Sequence, residues 1–255
     1  MTSFPLSLTK ALRIGWEAWK RQWWILPAIL VFSGFISSTP QAMEDAGVSD
    51  MLSTPVAIVT LVLSIVLEIG IVYIVLGMHE GKKMRFSDVF SQYRLAFRYF
   101  CAYVLFLLVI LSGVLLAAVL TGVSEYYGLY GKRGVALGLM GLAVSVFVYF
   151  GLRLQFYSYV LVDRRLGIIE SLRASWRLTR GHSLELFSFW LLLLLVNVLG
   201  LMALIVGFFV SVSVSMLAFA DVYRQLSGMQ EDYVQGGETP ASASLVNHEE
   251  VEDTD

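Results

Sequence analysis

Long apolar runs limit the folds open to this chain more than any other feature does. They cover residues 23–38, 55–78, 100–123, 135–162 and 184–226. A helix needs about 20 apolar residues to cross the hydrocarbon core of a bilayer. The fifth run is twice that length, so we expect it to fold back at Val206 and Gly207. The sequence therefore predicts an all-α, polytopic membrane protein with six transmembrane helices.

The start of the chain is compatible with a first span that is retained. Four bases and a long stretch of mixed character precede the run at 23–38. The positively charged segment of an ordinary signal peptide is shorter than this. We therefore expect residues 23–38 to remain in the mature protein as an uncleaved span.

Composition supports the membrane assignment and divides the chain in two. Hydrophobic residues make up 57% of the chain and the mean hydropathy is +0.73, above the usual range of soluble domains. Residues 1–226 hold all 18 Lys and Arg against 12 acids, whereas residues 227–255 hold 8 acids and no base. We expect an integral membrane domain at 1–226 and a disordered acidic cytoplasmic tail at 227–255. The basic body favours anionic membrane lipids as partners, and it has no dense basic track of the kind that binds nucleic acid.

The basic residues predict the orientation. Fifteen of them fall on one side of the predicted spans, in the amino-terminal segment, in the second and fourth loops and at Arg224. The other side holds only Lys132 and Arg133. Lys and Arg are concentrated on the cytoplasmic side of membrane proteins. Both termini are therefore predicted to be cytoplasmic.

The Arg-rich segment at residues 163–182 repeats a pattern found at the start of the chain, with an offset of 160. The matching pairs are Leu12 and Leu172, Arg13 and Arg173, Trp16 and Trp176, and Lys20 and Arg180. Each copy predicts an amphipathic helix in the membrane interface, with aromatic side chains toward the acyl chains and bases toward the headgroups. The predicted headgroup contacts are Arg13, Lys20, Arg173, Arg177 and Arg180, and the predicted interfacial anchors are Trp16, Trp19 and Trp176.

A weaker third copy lies at residues 86–100, where Phe90, Arg94 and Arg98 take similar places. The membrane domain is thus predicted to consist of three repeats, at about 1–78, 79–162 and 163–226, each an interfacial helix followed by a transmembrane hairpin. Internal repeats occur in transporters whose site lies between the repeats, but duplication can also build a simple bundle. We expect no broken span, which favours the simple bundle.

Residues 150–226 also carry a family resemblance. They contain an Arg near the end of the fourth run, the segment YSYVLVDRRLGIIESLRASWRLTRGHSLELF, and the closing LAFADVYRQL. This part resembles a widespread group of uncharacterised bacterial membrane proteins related to the membrane domain fused to some glycerophosphodiester phosphodiesterases. The resemblance implies a six-span helical fold in the bacterial cytoplasmic (inner) membrane and a link to lipid or envelope biology. We recognise no soluble phosphodiesterase domain in the sequence, so that activity is not expected.

Two ionisable residues are predicted to lie deep in the membrane. Glu68 and Arg153 each fall about 15 Å from the cytoplasmic end of their spans, where an unpaired charge costs at least ~2.5–3.5 kcal/mol. Their matching depths predict an intramembrane ion pair, which serves either as a polar site for a headgroup or a proton or as a structural contact. Asn197, midway along the fifth span, is predicted to form a hydrogen bond across helices.

No catalytic constellation stands out in the sequence. Cys101 is the only cysteine, the three histidines are dispersed, and neither metal-ligand spacing nor a phosphate-binding glycine loop is present. We therefore expect no enzymatic activity, no metal and no cofactor. The leading hypothesis is a membrane protein that binds anionic lipid or assists envelope homeostasis. The alternative is a small transporter with a polar site at Glu68 and Arg153.

Overall fold

The computed structural model describes residues 7–126 and 133–237, and in these ranges it contains nine α-helices and no strand. In chain order the helices are α1 (Leu8–Arg21), α2 (Ile25–Asp45), α3 (Asp50–His79), α4 (Ala96–Tyr126), α5 (Arg133–Leu154), α6 (Tyr157–Arg164), α7 (Ile168–Leu178), α8 (Ser183–Met202) and α9 (Leu204–Gly237). Two short 3₁₀ helices, Phe86–Phe90 and Tyr93–Leu95, connect α3 to α4.

Six helical stretches of the described chain are long and apolar enough to cross a membrane. They are Ile25–Asp45, Met51–His79, Phe86–Val109, Val144–Arg164, Ser183–Met202 and Val206–Gly228. Helices suit this environment because every backbone hydrogen bond is made within the segment. The predicted class, an all-α polytopic membrane protein with six spans, is confirmed.

The buried core lies toward one end of this helical assembly. In α3, Leu67 and Ile74 are fully buried, whereas Met51 near the other end of the same helix is 88% exposed. In α9, Tyr223 is fully buried, whereas Val206 is 75% exposed. Large apolar side chains exposed in such numbers suit lipid better than water. One half of the assembly is therefore packed internally, and the other half presents apolar helices outward.

The hairpin between α8 and α9 turns at Ala203 and Leu204, so the prediction of a turn at Val206 and Gly207 was wrong. Leu204 takes up the left-handed backbone conformation, with φ of 71°. Gly207 allows the two helices to approach closely, since a Cβ there would lie 2.5 Å from the Gly200 carbonyl oxygen. The glycine that suggested a turn is required for helix packing instead.

The same helix pair confirms the predicted hydrogen bond of Asn197. Its Nδ2 donates to Ser215 Oγ on α9 at 3.1 Å and to the Leu193 carbonyl within α8 at 2.8 Å. Interhelical hydrogen bonds of this kind are a common link between apolar helices. Asn197 therefore joins α8 to α9.

The fourth span is broken, contrary to our expectation of continuous spans. Helix α5 ends at Leu154 and α6 begins at Tyr157. The backbone groups freed by the break bind side chains of α7: the Arg153 carbonyl accepts from Ser175 Oγ at 3.0 Å and from Thr179 Oγ1 at 3.2 Å. The Phe156 N–H donates to Ser175 Oγ at 3.2 Å. Helix α7 thus supplies hydrogen bonds that an unbroken helix would make internally.

Helix α1 packs against α9 through small residues. Ala11, Gly15 and Ala18 are buried. A Cβ on Gly15 would lie 2.9 Å from the Val214 carbonyl oxygen and 3.0 Å from the Ala218 nitrogen. Only a glycine allows the two backbones to come this close.

Helix α7 buries residues at the positions that match the buried positions of α1 in the repeat. Ser171, Ser175 and Leu178 are buried, and they follow Ala11, Gly15 and Ala18 by 160 residues. The offset seen in the sequence therefore relates positions of equal burial. The arrangement of the whole chain as three repeats stays a prediction.

The third copy of the pattern does not form the predicted α-helix. Residues 86–95 form the two 3₁₀ helices, with Val89 packed against α3 so closely that a Cβ on Gly70 would lie 1.9 Å from the Val89 carbonyl oxygen. Close backbone contact of this kind holds the segment along α3. The prediction of an interfacial α-helix in the second unit was wrong.

The disordered tail was predicted to start at residue 227, but α9 continues to Gly237. The prediction is therefore wrong for residues 227–237. The remaining part of the predicted tail, residues 238–255, lies outside the residues that the structure describes.

Candidate functional site

A network of charged side chains joins α9 to the carboxyl-terminal ends of α3 and α6. Arg224 on α9 binds Asp163 on α6 with two hydrogen bonds, from Nη1 to Oδ2 at 3.0 Å and from Nη2 to Oδ1 at 2.9 Å. Arg224 Nη2 also donates to Glu80, just beyond α3. Tyr223 Oη donates to Asp163 Oδ2 at 2.8 Å. Paired Arg–carboxylate bonds of this geometry are among the strongest hydrogen bonds in proteins. This network, called here the Arg224 network, therefore fixes the ends of α3 and α6 relative to α9.

Glu80 extends the Arg224 network to Lys82. The Lys82 ammonium group lies 2.6 Å from Glu80 Oε2, and its hydrogen bond holds the pKa of Glu80 below the ordinary value. Partial burial opposes this shift, and the positive charge of Arg224 adds to it. The same hydrogen bond raises the pKa of Lys82. Glu80 is therefore held in its charged form between two cations.

A pocket of about 160 Å³ opens beside the Arg224 network. Its charged lining comes from Glu80, Lys82, Asp163, Arg165 and Arg224. Its remaining lining is provided by Tyr73, Leu76, Gly77, Met84 and Val162. The pocket thus combines an apolar wall with five charged groups where α3, α6 and α9 meet.

A second polar contact, between His79 and Asp221, lies about one turn of α9 before Arg224. His79 Nε2 is 2.9 Å from Asp221 Oδ1, and Gln225 Nε2 donates to Asp221 Oδ2 at 2.6 Å. The Asp221 side chain is only 7% exposed and that of His79 only 15%. This contact ties the end of α3 to α9 a second time.

Glu68 and Arg153 do not form the predicted ion pair. Glu68 Oε2 accepts a hydrogen bond from Tyr99 Oη at 3.1 Å. The Arg153 guanidinium lies over two aromatic rings, 5.2 Å from the centre of Tyr149 and 5.3 Å from that of Trp176. Glu68 on α3 thus meets a side chain of α4, whereas Arg153 on α5 meets a tryptophan of α7.

Arg153 is left with unused hydrogen-bonding capacity. Its Nε and Nη1 atoms are buried without a hydrogen-bond partner within the described chain. The faces of aromatic rings attract a guanidinium group by about 0.5–2 kcal/mol, which offsets part of this loss. The backbone carbonyl of the same residue binds Ser175 and Thr179, so α7 covers both ends of Arg153.

The predicted headgroup-binding residues of α1 lie on its outer surface. Arg13 is 81% exposed in its side chain and pairs with Glu17 at 3.1 Å. Lys20 lies 5.2 Å from the centre of the Trp16 ring, and Trp16 stacks on Trp19 with ring centres 5.1 Å apart. Arg13, Trp16 and Lys20 are thus exposed, whereas the predicted anchor Trp19 is half-buried against the core.

The predicted bases of α7 and of the turn that follows it, called here the α7 bases, are also exposed. Arg173, Arg177 and Arg180 are exposed, and within residues 7–126 and 133–237 they form no ion pair or side-chain hydrogen bond. Trp176 differs from Trp16, because its ring packs against Tyr149 and Phe150 at 5.9 and 5.8 Å. Helix α7 and the turn after it therefore present three guanidinium groups that have no partner among the described residues, while Trp176 is held by α5.

The sequence prediction missed the Arg224 network. Glu80, Asp163 and Arg224 each stand at the end of an apolar run, and all three were expected on the same side of the membrane. Opposite charges at such places are candidates for pairing across helix ends. That signal was present, but it does not say which of the fifteen bases on that side meets which acid.

Neither a metal site nor a relative accounts for these features. The described residues contain no group of three or more His, Cys, Asp or Glu side chains able to hold a metal ion. Comparisons with protein-family models, with curated proteins and with solved structures found no match to this chain. The resemblance to the membrane domain of glycerophosphodiester phosphodiesterases stays a prediction.

Proposed function

We propose that this chain is a non-enzymatic membrane protein that binds anionic lipid headgroups through the exposed bases of α7, assisted by those of α1. The observation that carries the proposal is the set of three exposed guanidinium groups, two on α7 and one in the turn after it, that have no partner in the described chain. Arg173 and Arg177 are four residues apart, which puts them on one side of α7, and Arg180 follows in the turn after the helix. Lipid phosphates are the abundant anions at a membrane surface, so they are the expected partners of these bases.

The anchoring of α7 supports this proposal. Its opposite side is buried through Ser171, Ser175 and Leu178, so the helix cannot turn its bases away. The next helix, α8, begins five residues after Leu178, and its Leu184 is 83% exposed. Bases next to an exposed apolar surface are typical of interfacial helices. Each base near an anionic surface contributes about 1 kcal/mol.

We propose further that the chain lies in the bacterial inner membrane, with α1, α7 and both termini on the cytoplasmic side. The excess of bases on one side of the spans supports this orientation. Fusion of alkaline phosphatase or of green fluorescent protein to the carboxyl terminus provides the test. We expect fluorescence and no phosphatase activity; the reverse result would overturn the orientation.

The lipid proposal is tested by the lipid that the protein retains on purification. We expect the wild type to retain phosphatidylglycerol or cardiolipin in excess over their share of the membrane. A variant with Arg173→Glu, Arg177→Glu and Arg180→Glu should lose that excess about tenfold or more, because three contributions of about 1 kcal/mol are removed and reversed. The measurement is quantitative mass spectrometry of the lipid extracted from the purified protein.

A matched control separates the α7 bases from charge in general. The control variant carries Lys83→Glu, Arg94→Glu and Arg98→Glu, which change the net charge by the same amount at exposed positions outside α7. It should keep most of the lipid excess. An equal loss in both variants, or no excess in the wild type, contradicts the proposal.

The alternative of a small transporter receives little support from the broken span. Broken helices in transporters leave backbone groups free to bind the substrate. Here the Arg153 carbonyl and the Phe156 N–H are bound by Ser175 and Thr179 of the same chain. The break therefore offers these groups to α7, and the lipid proposal remains the one that the geometry favours.

A further inference from the structure

The pocket beside the Arg224 network contains one basic residue that pairs with no acid among the described residues. Of its three basic residues, Arg224 binds Asp163 and Glu80, and Lys82 binds Glu80. Arg165 lines the same pocket but makes no hydrogen bond or ion pair in the part of the chain that the structure describes. Its guanidinium group is therefore available to a ligand.

The balance of charge in the pocket favours an anion. Lys82, Arg165 and Arg224 carry three positive charges, and Glu80 and Asp163 carry two negative charges, which leaves one positive charge. Both carboxylates already accept hydrogen bonds from cations. A cationic ligand would have to compete with these bonds, whereas an anion meets an unpaired guanidinium group.

The backbone at Arg165 is unusual for an arginine. This residue ends α6 in the left-handed conformation, with φ of 51°. Glycine is the usual residue at such a helix end because it has no Cβ to clash. An arginine here keeps its side chain at the pocket despite the less favourable backbone.

We propose that this pocket binds a phosphate group, held by the Arg165 guanidinium with the Lys82 ammonium at its side. A guanidinium group matches the oxygens of a phosphate with two parallel hydrogen bonds. A volume of 160 Å³ equals that of about five water molecules at ~30 Å³ each, which is room for a phosphate and a short ester group. The phosphate comes from a lipid headgroup or from a small soluble phosphate ester.

The site is separate from the exposed bases of α7. Arg165 and Lys82 belong to the loops after α6 and α3, and none of Arg173, Arg177 and Arg180 lines the pocket. The two proposals can therefore fail independently. The α7 triple variant should still bind a soluble phosphate ester at Arg165.

The test is a titration of the purified full-length protein in detergent, followed by calorimetry, with inorganic phosphate, glycerol 3-phosphate and succinate. A parallel arm places the α7 triple variant, whose own bases no longer attract anionic lipid, in nanodiscs of phosphatidylcholine with and without phosphatidylglycerol and follows the melting temperature. We expect binding of phosphate compounds and not of succinate, or stabilisation by phosphatidylglycerol. The first result assigns the site to a soluble ester and the second to a headgroup.

Variants at Arg165 separate binding from folding. Arg165→Gly should weaken binding at least tenfold while leaving the melting temperature without ligand equal or higher, because glycine suits this backbone. Lys83→Gln, an exposed base that does not line the pocket, is the matched control and should bind as the wild type does. Unchanged binding in Arg165→Gly overturns the proposal, as does an absence of binding in both arms or binding of succinate alone.

Discussion

At the scale of single residues, Tyr99 provides the hydrogen-bond donor that the Glu68 carboxyl group needs. A carboxyl group on an apolar helix lacks the water that would otherwise solvate it, so a hydrogen-bond donor within the protein becomes valuable. Tyr99 Oη provides that donor at 3.1 Å. The ring of Tyr99 lies 5.9 Å from that of Tyr157, which in turn stacks on Phe106 at 5.5 Å. Glu68 is thus connected to a row of aromatic rings.

This arrangement predicts which residues are energetically coupled. In a double-mutant cycle of Glu68→Gln and Tyr99→Phe, we expect a coupling of about 1 kcal/mol in the free energy of unfolding, because the hydrogen bond is counted in both single variants. Glu68→Gln and Arg153→Leu should be additive, since each has its own partners. The measurement is reversible unfolding in detergent. Coupling in the second cycle and none in the first would show that Glu68 pairs with Arg153 and not with Tyr99.

At the scale of elements, α7 stabilises the break in the fourth span. A helix end without partners leaves buried N–H and C=O groups unsatisfied, each at a cost of about 1–3 kcal/mol. Ser175 Oγ serves two of these groups at once, as a donor to the Arg153 carbonyl and as an acceptor from the Phe156 N–H. The short side chain of serine allows α7 to approach the break closely enough to do so.

Ser175→Ala should therefore destabilise the protein by about 1–3 kcal/mol. Thr179→Val in addition should increase the loss, because the Arg153 carbonyl then has neither hydroxyl donor. Ser171→Ala is the matched control: Ser171 is equally buried, but its hydroxyl donates only to the Ile168 carbonyl of its own helix, at 2.8 Å. Thermal unfolding in detergent measures all three. Equal losses at Ser171 and Ser175 would show that the hydroxyl is not needed at the break.

At the scale of the whole molecule, the Arg224 network connects segments that are far apart in the chain. Glu80, Asp163 and Arg224 come from three different parts of the sequence, and all must be charged for the network to hold. The pKa of Glu80 is lowered in the folded protein, chiefly by Lys82. A carboxyl group with a lowered pKa adds stability above its unfolded value of 4.5, and this stability is lost as the pH falls below that value.

We expect the melting temperature of the wild type to fall between about pH 5 and pH 3, and that of Glu80→Gln to fall less, by about 1–3 °C, because a partly exposed ion pair contributes little. Glu17→Gln, which removes the exposed pair with Arg13, is the matched control and should follow the wild type. Melting curves across this pH range provide the measurement. If the melting temperature of Glu80→Gln falls as steeply with pH as that of the wild type, Glu80 does not cause the loss of stability in acid.

Much of the fold could be predicted because hydrogen bonding in lipid is local. Each apolar run must satisfy its own backbone, so its length and composition are enough to predict a helix and a span. Asn197 was identified in the same way, as a polar group that needs a partner on a neighbouring helix. The turn near Gly207 was misplaced because glycine serves both turns and close helix packing, and the sequence does not distinguish these uses.

The candidate site depended on information that the sequence lacks. Glu68 and Arg153 have matching depths, but depth does not tell which helices are neighbours. Residues that meet in the Arg224 network are 61 and 144 positions apart, so their contact follows from how α3, α6 and α9 pack. The sequence by itself determined six apolar helices, because each helix follows from local composition. The tertiary structure alone decided which charges are paired and which, at α7 and at Arg165, remain available, because pairing depends on distances between helices.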